Sequence, residues 1–377
     1  MITLGVMSGT SLDGADAVAL RFRESDRAGA AMETLGHVYV PMPAALRSEL
    51  RALALGTTDE IERMGDASVA LARLYAEAVG RLLAAVGLAP GDVAAAGLHG
   101  QTIRHRPGRG FTLQLNHPAL FVELTGIAAV ADFRSRDVAA GGEGAPLVPA
   151  FHAEVFSEPR PTAVLNVGGI ANLTLLPGEA SAAPVRGFDT GPGNMLLDAW
   201  MEEKTGEPFD RGGAFAARGR VIAPLLARML EEAYFALPAP KSTGRERFSP
   251  AWLHAALDAA GAEGAAAEDV ARTLTELTAE SVARALEAEH PEAAALWVCG
   301  GGALNPFLMA RLEACVRARL ARLETVADTS ARGLDPMVVE AAAFAWLARA
   351  HLLGLPGNLP AVTRARGPRI LGALYPL

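Results

Sequence analysis

A pattern of strand, glycine turn and strand occurs twice in this chain, and it constrains the fold more than any other feature. Each copy has two apolar runs around a turn that contains glycine, which is typical of a β-hairpin. The second copy starts about 160 residues after the first, as expected for two structurally related halves. The runs and the turn between them are 4–7, 8–14 and 15–20 in the first copy, and 163–167, 168–172 and 173–176 in the second.

Length and composition agree with this division. The chain has 377 residues, a net charge of −8 and two cysteines, Cys299 and Cys315. At roughly 100–200 residues per domain, this length predicts two domains. Two cysteines exclude a disulfide scaffold and a CxxC metal site. The acidic balance argues against bulk nucleic-acid binding. The first residues lack the basic region of a signal peptide, and residues 337–355 are too polar for a membrane span, so we expect a cytoplasmic protein without membrane contact.

The remaining segments alternate between helical and extended patterns. An apolar stripe with helical spacing predicts a helix over 61–86, which Gly87 and Pro90 end. Asn194 is a candidate cap for the helix that follows it, and Pro336 is expected to open a late helix. Further predicted elements are short strands at 93–98 and 295–299, a basic loop at 104–110, and helices at 222–237, 271–288 and 307–320. This mixture predicts α/β layers in two lobes, with the ligand in the cleft between them.

The glycine turns suggest phosphate binding. Glycine lets the main chain approach an anion, and consecutive backbone N–H groups form a concavity that binds one. Asp13 in the first turn is suited to holding Mg²⁺, directly or through water. Gly300, Gly301 and Gly302 form a third turn of this kind at the end of a predicted strand. Each turn alone leaves an ordinary connecting loop open as an explanation.

The common phosphate and hydrolase motifs are absent. Lys241, Ser242 and Thr243 follow no glycine loop, so no P-loop is present, and no complete GxGxxG opens a helix. The chain also lacks GxSxG and HExxH. These absences argue against the P-loop, Rossmann, α/β-hydrolase and zincin classes.

An ordered set of motifs runs from about residue 3 to residue 375. The motifs are Met7-Ser-Gly-Thr-Ser-Leu-Asp-Gly14, His99-Gly-Gln-Thr102, Ala131-Asp-Phe-Arg134, Asn166-Val-Gly-Gly-Ile-Ala-Asn172, Gly187-Phe-Asp-Thr-Gly-Pro-Gly-Asn194, Pro240-Lys-Ser-Thr-Gly-Arg-Glu246, and Gly300-Gly-Gly302 with Asn305. In this order, the set resembles the anhydro-N-acetylmuramic acid kinases, a family of the sugar kinase, Hsp70 and actin superfamily.

This resemblance implies a fold and a reaction. The fold is the two-lobed actin-like ATPase (ribonuclease H-like) fold with the active site in the interlobe cleft. Residues 1–135 plus 338–377 would form the N-terminal lobe, and 136–337 the C-terminal lobe. The reaction consumes ATP, water and 1,6-anhydro-N-acetylmuramic acid and gives N-acetylmuramic acid 6-phosphate and ADP, in peptidoglycan recycling. Mg²⁺ would assist, and the family suggests a homodimer.

The resemblance also implies roles for single residues. Asp189 would be the general base that activates water, although its pattern alone leaves a helix-capping carboxylate open. The sugar would be held by His99, Gln101, Thr102, Asp132, Arg134 and Glu340. Arg134 suits the lactyl carboxylate, because a guanidinium binds carboxylates through two parallel hydrogen bonds. ATP and its phosphates would be held by Gly9, Thr10, Ser11, Leu12, Asp13, Gly14, Ala15, Asp16, Gly168, Gly169, Asn172, Gly300, Gly301, Gly302 and Asn305.

Some interpretations stay open at this level. Lys241 is either a phosphate or lid contact or a solvated loop lysine. Glu143 and Asn116 stand where the family usually has glutamine and glycine, which leaves substrate details open. One alternative function is a kinase of another amino sugar or a free hexose on the same fold. The other is a non-catalytic, ATP-driven clamp, against which Asp189 in its motif argues.

Overall fold

The two glycine-turn hairpins each begin a β-sheet in the computed structural model, which describes residues 1–9, 12–23 and 32–377. The described strands in chain order are β1 (Ile2–Met7), β2 (Gly14–Phe22), β3 (Met32–Pro41), β4 (Ala95–Leu98), β5 (Gln101–Arg106), β6 (Phe111–Leu115), β7 (Ala129–Ala131), β8 (Thr162–Val167), β9 (Ile170–Leu176), β10 (Arg186–Pro192), β11 (Ala295–Cys299), β12 (Thr325–Asp328) and β13 (Ala373–Tyr375). Both predicted hairpins, β1–β2 and β8–β9, are antiparallel pairs and are therefore confirmed.

Helices make up most of the remaining described chain. They are α1 (Ala44–Leu55), α2 (Glu60–Val86), α3 (Pro118–Thr125), α4 (Ser135–Ala139), α5 (Val148–Phe156), α6 (Met195–Thr205), α7 (Ala223–Leu230), α8 (Pro250–Ala259), α9 (Ala267–Glu289), α10 (Pro306–Arg319), α11 (Val339–Leu352) and α12 (Pro360–Thr363). Short 3-10 helices cover Pro90–Asp92, Pro107–Arg109, Arg211–Gly213, Ala216–Arg218, Ala233–Ala236, Gly301–Leu304 and Thr329–Arg332.

The described chain divides into two compact units, which we call unit 1 (Met1–Val155 and Val338–Leu377) and unit 2 (Phe156–Met337). The sheet of unit 1 has the strand order β13-β7-β4-β1-β2-β3, and that of unit 2 has β10-β9-β8-β11-β12. In both, the first three strands form an antiparallel meander, the next strand of the sheet (β4 or β11) pairs in parallel with the first, and one more (β7 or β12) pairs in parallel with that strand. The predicted repeat is therefore a repeat of topology.

The core of unit 1 lies between its sheet and helices α2 and α11. Helix α2 buries the predicted stripe from Leu71 to Leu82, but Ile61 at its start is 86% exposed. Helix α11 lies directly on β1 and β4, where a Cβ atom on Gly5 or Gly97 would overlap a carbonyl oxygen of the helix. Glycine at these two paired positions is thus required by packing.

The boundary between the units differs from the sequence prediction. Segment 136–155 belongs to unit 1 rather than to the second lobe. The reason lies in long-range contacts, because Asp137 accepts hydrogen bonds from Asn358 and Thr363, and Phe151 packs against Trp346. Both divisions return the chain to the first unit at residue 338.

Several local predictions were wrong in detail. Residues 104–106 of the predicted basic loop complete β5, because that strand pairs with β6 in a hairpin. The late helix begins at Val339 rather than at Pro336, and the helix predicted over 222–237 ends at Leu230. Asn194 does not cap α6, because its side chain donates to the carbonyl of Val167 instead.

Candidate active site

Three polar side chains form a row across adjacent strands of unit 2. In the strand register, Asn166 on β8 is opposite Asn172 on β9, and Asn172 is opposite Asp189 on β10. Directly opposed residues of antiparallel strands carry their side chains on the same face. All three are half-buried, so the row is not sealed from solvent.

Asp189 is held by the segment that follows Tyr234. Its Oδ2 accepts from the backbone N–H of Thr243 at 2.9 Å, and its own N–H donates to the carbonyl of Lys241 at 3.0 Å. The Tyr234 hydroxyl donates to the Asp189 carbonyl at 2.8 Å. Oδ1 accepts no hydrogen bond from the described residues. One carboxylate oxygen is therefore fixed and the other is available.

Burial changes the acidity of this carboxyl group. It raises the pKa of Asp189 to about 6, against a smaller lowering by the Thr243 N–H. A carboxylate with this pKa is ionised at neutral pH and is a stronger base than an ordinary aspartate, which suits general-base catalysis. Asp189 lies within β10, next to a bulge before Gly191, rather than in the predicted turn at the start of a helix.

Lys241 serves the same segment. Its Nζ donates to the carbonyls of Tyr234 and Phe235, both at 3.1 Å, and lies 4.8 Å from the centre of the Tyr234 ring. Burial lowers the pKa of Lys241. The ammonium group thus anchors the loop beside Asp189, which differs from a fully solvated loop lysine, and a phosphate or lid contact stays a prediction.

The second glycine turn is tied to the start of α6. The N–H groups of Gly193 and Asn194 donate to the carbonyls of Gly169 and Gly168, both at 2.9 Å. Gly169 is exposed, and a Cβ atom on either turn glycine would meet no close contact. Open space beside a helix N-terminus is suited to an anion.

The glycine run 300–302 is explained largely by the protein itself. A Cβ atom on Gly300 would overlap Asn166 Oδ1, and one on Gly302 would overlap the Val167 side chain. Gly301 alone is exposed. Asn305 is buried and caps α10, with its Oδ1 accepting from Leu308 N at 3.0 Å. Gly301 is therefore the residue of this turn with backbone accessible to a ligand.

The first glycine turn lies in unit 1. Thr10 and Ser11 lie outside the described residues, and Gly9 precedes them. Leu12 has a φ of 60°, which is unusual for a residue with a branched side chain. Arg47 donates to the carbonyls of Leu12 and Asp13, at 3.0 and 3.3 Å, and so fixes the end of the turn.

The remaining predicted phosphate residues of this turn lie in a strand. Gly14, Ala15 and Asp16 belong to β2, with Ala15 fully buried. A Cβ atom on Gly14 would overlap the neighbouring strand β3. The Asp13 side chain is exposed. Of the described acidic residues in this turn, Asp13 is the one best placed to meet a hydrated cation.

Two of the predicted sugar residues, His99 and Arg134, contact each other in unit 1. The Nε and Nη2 atoms of Arg134 donate to His99 Nε2, at 3.3 and 2.9 Å, and Nη1 donates to the Gly144 carbonyl at 2.9 Å. Burial lowers the pKa of His99 to about 3, so its ring is neutral and can accept. An arginine has five N–H groups. One on each terminal nitrogen of Arg134 therefore remains, as a carboxylate requires.

The other predicted sugar residues are less uniform. The side-chain Oε1 of Gln101 accepts from the Ser8 hydroxyl at 2.9 Å, and the Thr102 hydroxyl accepts from Gln114 Nε2 at 3.2 Å, so both side chains make internal hydrogen bonds. Asp132 is exposed with a φ of 58°. Glu340 lies in the first turn of α11 and has a solvent-exposed surface. Partial removal of its carboxyl group from water raises its pKa, and the positive charge of Arg134 lowers it by a smaller amount.

The two departures from the family pattern are accommodated locally. Glu143 is exposed and forms an ion pair with Arg364 at 3.5 Å. Asn116 donates to the Leu98 carbonyl at 3.3 Å. Both side chains thus have partners within unit 1.

Sequence reasoning assigned no role to four residues that organise these places: Asn166, Thr243, Tyr234 and Arg47. Asn166 was predictable, because it and Asn172 are equally distant from the centre of the hairpin turn. The other three depend on tertiary contacts with distant segments. The Thr243 hydroxyl is also buried and makes no hydrogen bond within the described part of the chain.

Each of the two mixed α/β sheets has a glycine turn after its first strand, and the five strands of unit 2 repeat the order of five of the six strands of unit 1, where β13 is added at the edge. This confirms the predicted α/β class with two related halves. The anhydro-N-acetylmuramic acid kinase family model matches residues 1–377. The chain belongs to this family.

Full-length relatives agree. The anhydro-N-acetylmuramic acid kinase of Bordetella pertussis is 54% identical over 99% of this chain and 95% of its own length. Those of Pseudomonas paraeruginosa and Burkholderia vietnamiensis are 53% and 52% identical, over 99% and 100% of this chain and 98% and 96% of their own lengths. These similarities favour the anhydro-sugar kinase prediction over a free-hexose kinase.

An activator of 2-hydroxyisocaproyl-CoA dehydratase from Clostridium difficile, solved with bound ADPNP, aligns over 92% of this chain and 93% of its own, with 11% identity and a TM-score of 0.46. Separately, no helix within residues 1–9, 12–23 and 32–377 is long and apolar enough to cross a bilayer.

Proposed function

We propose that this chain converts 1,6-anhydro-N-acetylmuramic acid, ATP and water into N-acetylmuramic acid 6-phosphate and ADP. Family membership supports the reaction. The observation that carries the mechanism is Asp189, with one carboxylate oxygen held by Thr243 and the other available. Its pKa of about 6 keeps it ionised at neutral pH.

The chemistry follows from one base. Asp189 takes a proton from water as the water oxygen bonds to C1 of the sugar. The C1–O6 bond breaks, and its electron pair goes to O6. O6 then bonds to the γ-phosphorus of ATP, and the bond to the bridging oxygen breaks with its electrons leaving on ADP. The proton on Asp189 passes to solvent, so atoms and charge balance.

Each unit contains its own candidate binding residues. In unit 2, the turn at Gly168 and Gly169 and the start of α6 would receive phosphates, with Gly301 against the nucleotide. In unit 1, Arg134 would pair its two remaining N–H groups with the lactyl carboxylate, and Glu340 and Asp132 would accept from sugar hydroxyls. Gln101 and Thr102 would support this surface through their internal bonds.

Asp13 fits Mg²⁺. It offers a single exposed carboxylate, and Mg²⁺ in kinases is usually bound by one or two carboxylates together with water and substrate phosphates. A bound Mg²⁺ would neutralise charge on the transferred phosphoryl group. Cytoplasmic location and a homodimer remain proposals from the family resemblance, and sedimentation of the purified chain tests the dimer.

Isotope labelling tests the reaction. In ¹⁸O-water we expect one labelled oxygen at C1 of the phosphorylated product. The control is unlabelled product kept in ¹⁸O-water without enzyme, which measures anomeric exchange. Label no higher than this control, with turnover of N-acetylglucosamine or a free hexose, would replace the proposed reaction with ordinary phosphoryl transfer.

A further inference from the structure

Asp137 in unit 1 is a fully buried carboxylate with three hydrogen-bond donors. Its Oδ1 accepts from Asn358 Nδ2 at 2.6 Å and from the Thr363 hydroxyl at 2.7 Å, and its Oδ2 accepts from Gly144 N at 2.8 Å. We call these four residues the Asp137 cluster. No arginine or lysine of the described chain forms an ion pair with this carboxylate, although the charge of Arg134 acts on it from a longer distance, so the three donors are the direct partners of its buried charge.

The Asp137 cluster contacts the 137–144 loop, which bonds to Arg134. A Cβ atom on Gly142 would overlap Asp137 Oδ2, so this loop lies directly on the carboxylate. Gly142 N donates to the Asp137 carbonyl at 2.9 Å. The carbonyl of Gly144, whose N–H bonds to Asp137, accepts from Arg134 Nη1 at 2.9 Å. Asp137 and Arg134 are thus linked through a single residue.

Two of the donors come from the end of the chain. Asn358 and Thr363 lie more than 200 residues beyond Asp137 in sequence. The Thr363 carbonyl also accepts from Glu143 N at 2.6 Å, and Arg366 N donates to the Ala140 carbonyl at 2.9 Å. The C-terminal segment therefore fixes the 137–144 loop through several hydrogen bonds.

We propose that Asp137 is a positioning residue for sugar recognition, because it orients the Arg134 guanidinium through Gly144. This rests on the proposed function. With Gly144 and His99 each accepting from one side of Arg134, the guanidinium has one orientation, and its remaining N–H groups face a single direction. A carboxylate bound through two hydrogen bonds requires such a fixed orientation.

Asp137→Asn tests the proposal. The amide keeps the size but places an NH₂ group against one of three donors. We expect the KM for 1,6-anhydro-N-acetylmuramic acid to rise about tenfold, as for loss of a charged hydrogen bond, while kcat and the KM for ATP change less than about twofold. With Arg134→Gln already present, Asp137→Asn should add little to the loss, because its effect passes through Arg134.

Variants of Thr363 address the risk that Asp137→Asn does not fold. Thr363→Val removes one donor, and Thr363→Ser keeps it. The valine variant should therefore raise the sugar KM, and the serine variant should keep the sugar KM of the wild type. The matched control is Thr162→Val in unit 2, which removes a buried hydroxyl bonded to a backbone carbonyl. It should lower stability without changing the sugar KM.

Four results would overturn the proposal. Losses that add fully in the double variant, or a fall in kcat and a rise in the ATP KM with no selective change in the sugar KM, would assign Asp137 to folding alone and overturn the proposal. An equal rise of the sugar KM in Thr162→Val would do the same. No turnover of the sugar by the wild-type chain would remove the proposed function and this proposal together.

Discussion

The third strands of the two sheets, β3 and β10, occupy equivalent places but differ in chemistry. Both are edge strands of a meander with the same order. β3 is largely open to solvent, and its Tyr39 is 47% exposed. β10 is buried along most of its length and lies beside the segment that carries Tyr234 and Thr243. Covering an edge strand is what gives Asp189 its raised pKa, so the repeated fold supplies the position and the covering segment supplies the reactivity.

The first strands of the two sheets also differ, and here the closer packing is found in unit 1. In unit 1, glycine at positions 5 and 97 brings α11 onto the sheet, and this helix carries Glu340 in its first turn. In unit 2, the corresponding strands β8 and β11 contain no glycine. Close packing of a helix on glycine positions therefore occurs in unit 1, which contains the candidate sugar residues. The half-buried Asp189 carboxylate occurs in unit 2, which contains the glycine turn at 168–169.

The largest expected effect concerns Asp189. Asp189→Asn should lower sugar turnover by about 10³-fold, since general-base catalysis contributes on the order of 10²–10⁴-fold. ATP binding should persist. Kinetics and calorimetry measure the two quantities, with Asp258→Asn on the exposed surface of α8 as the control. Turnover close to that of wild type would remove Asp189 as the base. It would also show that covering β10 does not contribute to catalysis through Asp189.

The close packing of α11 on Gly5 should be measurable in the free energy of unfolding. Gly5→Ala should destabilise unit 1 by about 1–3 kcal/mol, because the added methyl group overlaps backbone of α11. The control is Gly65→Ala on α2, where a Cβ atom meets nothing and the change should stabilise by about 0.5–1 kcal/mol. Urea unfolding measures both. A neutral Gly5→Ala would show that α11 can move away from β1 without cost.

The acidity of Asp189 predicts a pH limb. With a pKa of about 6, the carboxylate is lost as the pH falls below that value, so kcat/KM should fall about tenfold per pH unit there. Rates measured from pH 4.5 to 8.5 test this. A limb near pH 4 would mean that the covering segment does not raise the pKa of Asp189.

The smallest expected effect is on the pH dependence of stability. Because its pKa is higher in the folded state than in the unfolded state, Asp189 favours folding in its protonated form, and this contribution is lost as the pH rises through about 6. Asp189→Asn should therefore raise Tm by roughly 2–4 °C at pH 8 and have little effect near pH 4. Calorimetry at the two pH values separates this result from a pH-independent change.

Local pattern was enough to predict much of this protein. Alternation of apolar residues around glycine turns predicted both hairpins, and helical spacing predicted α2, because these signals depend on neighbours in sequence. Motifs in order identified the family. The pairing of Asn166 with Asn172 could also have been derived, because hairpin register follows from the turn.

Tertiary structure alone decided the surroundings of these residues. Thr243 and Tyr234 reach Asp189, and Asn358 and Thr363 reach Asp137, across separations that no local pattern records. The unit boundary moved to residue 155 for the same reason. Residue types and local order are properties of the sequence, whereas the burial and hydrogen bonds that set the base strength of Asp189 and the orientation of Arg134 exist only after distant segments have packed together.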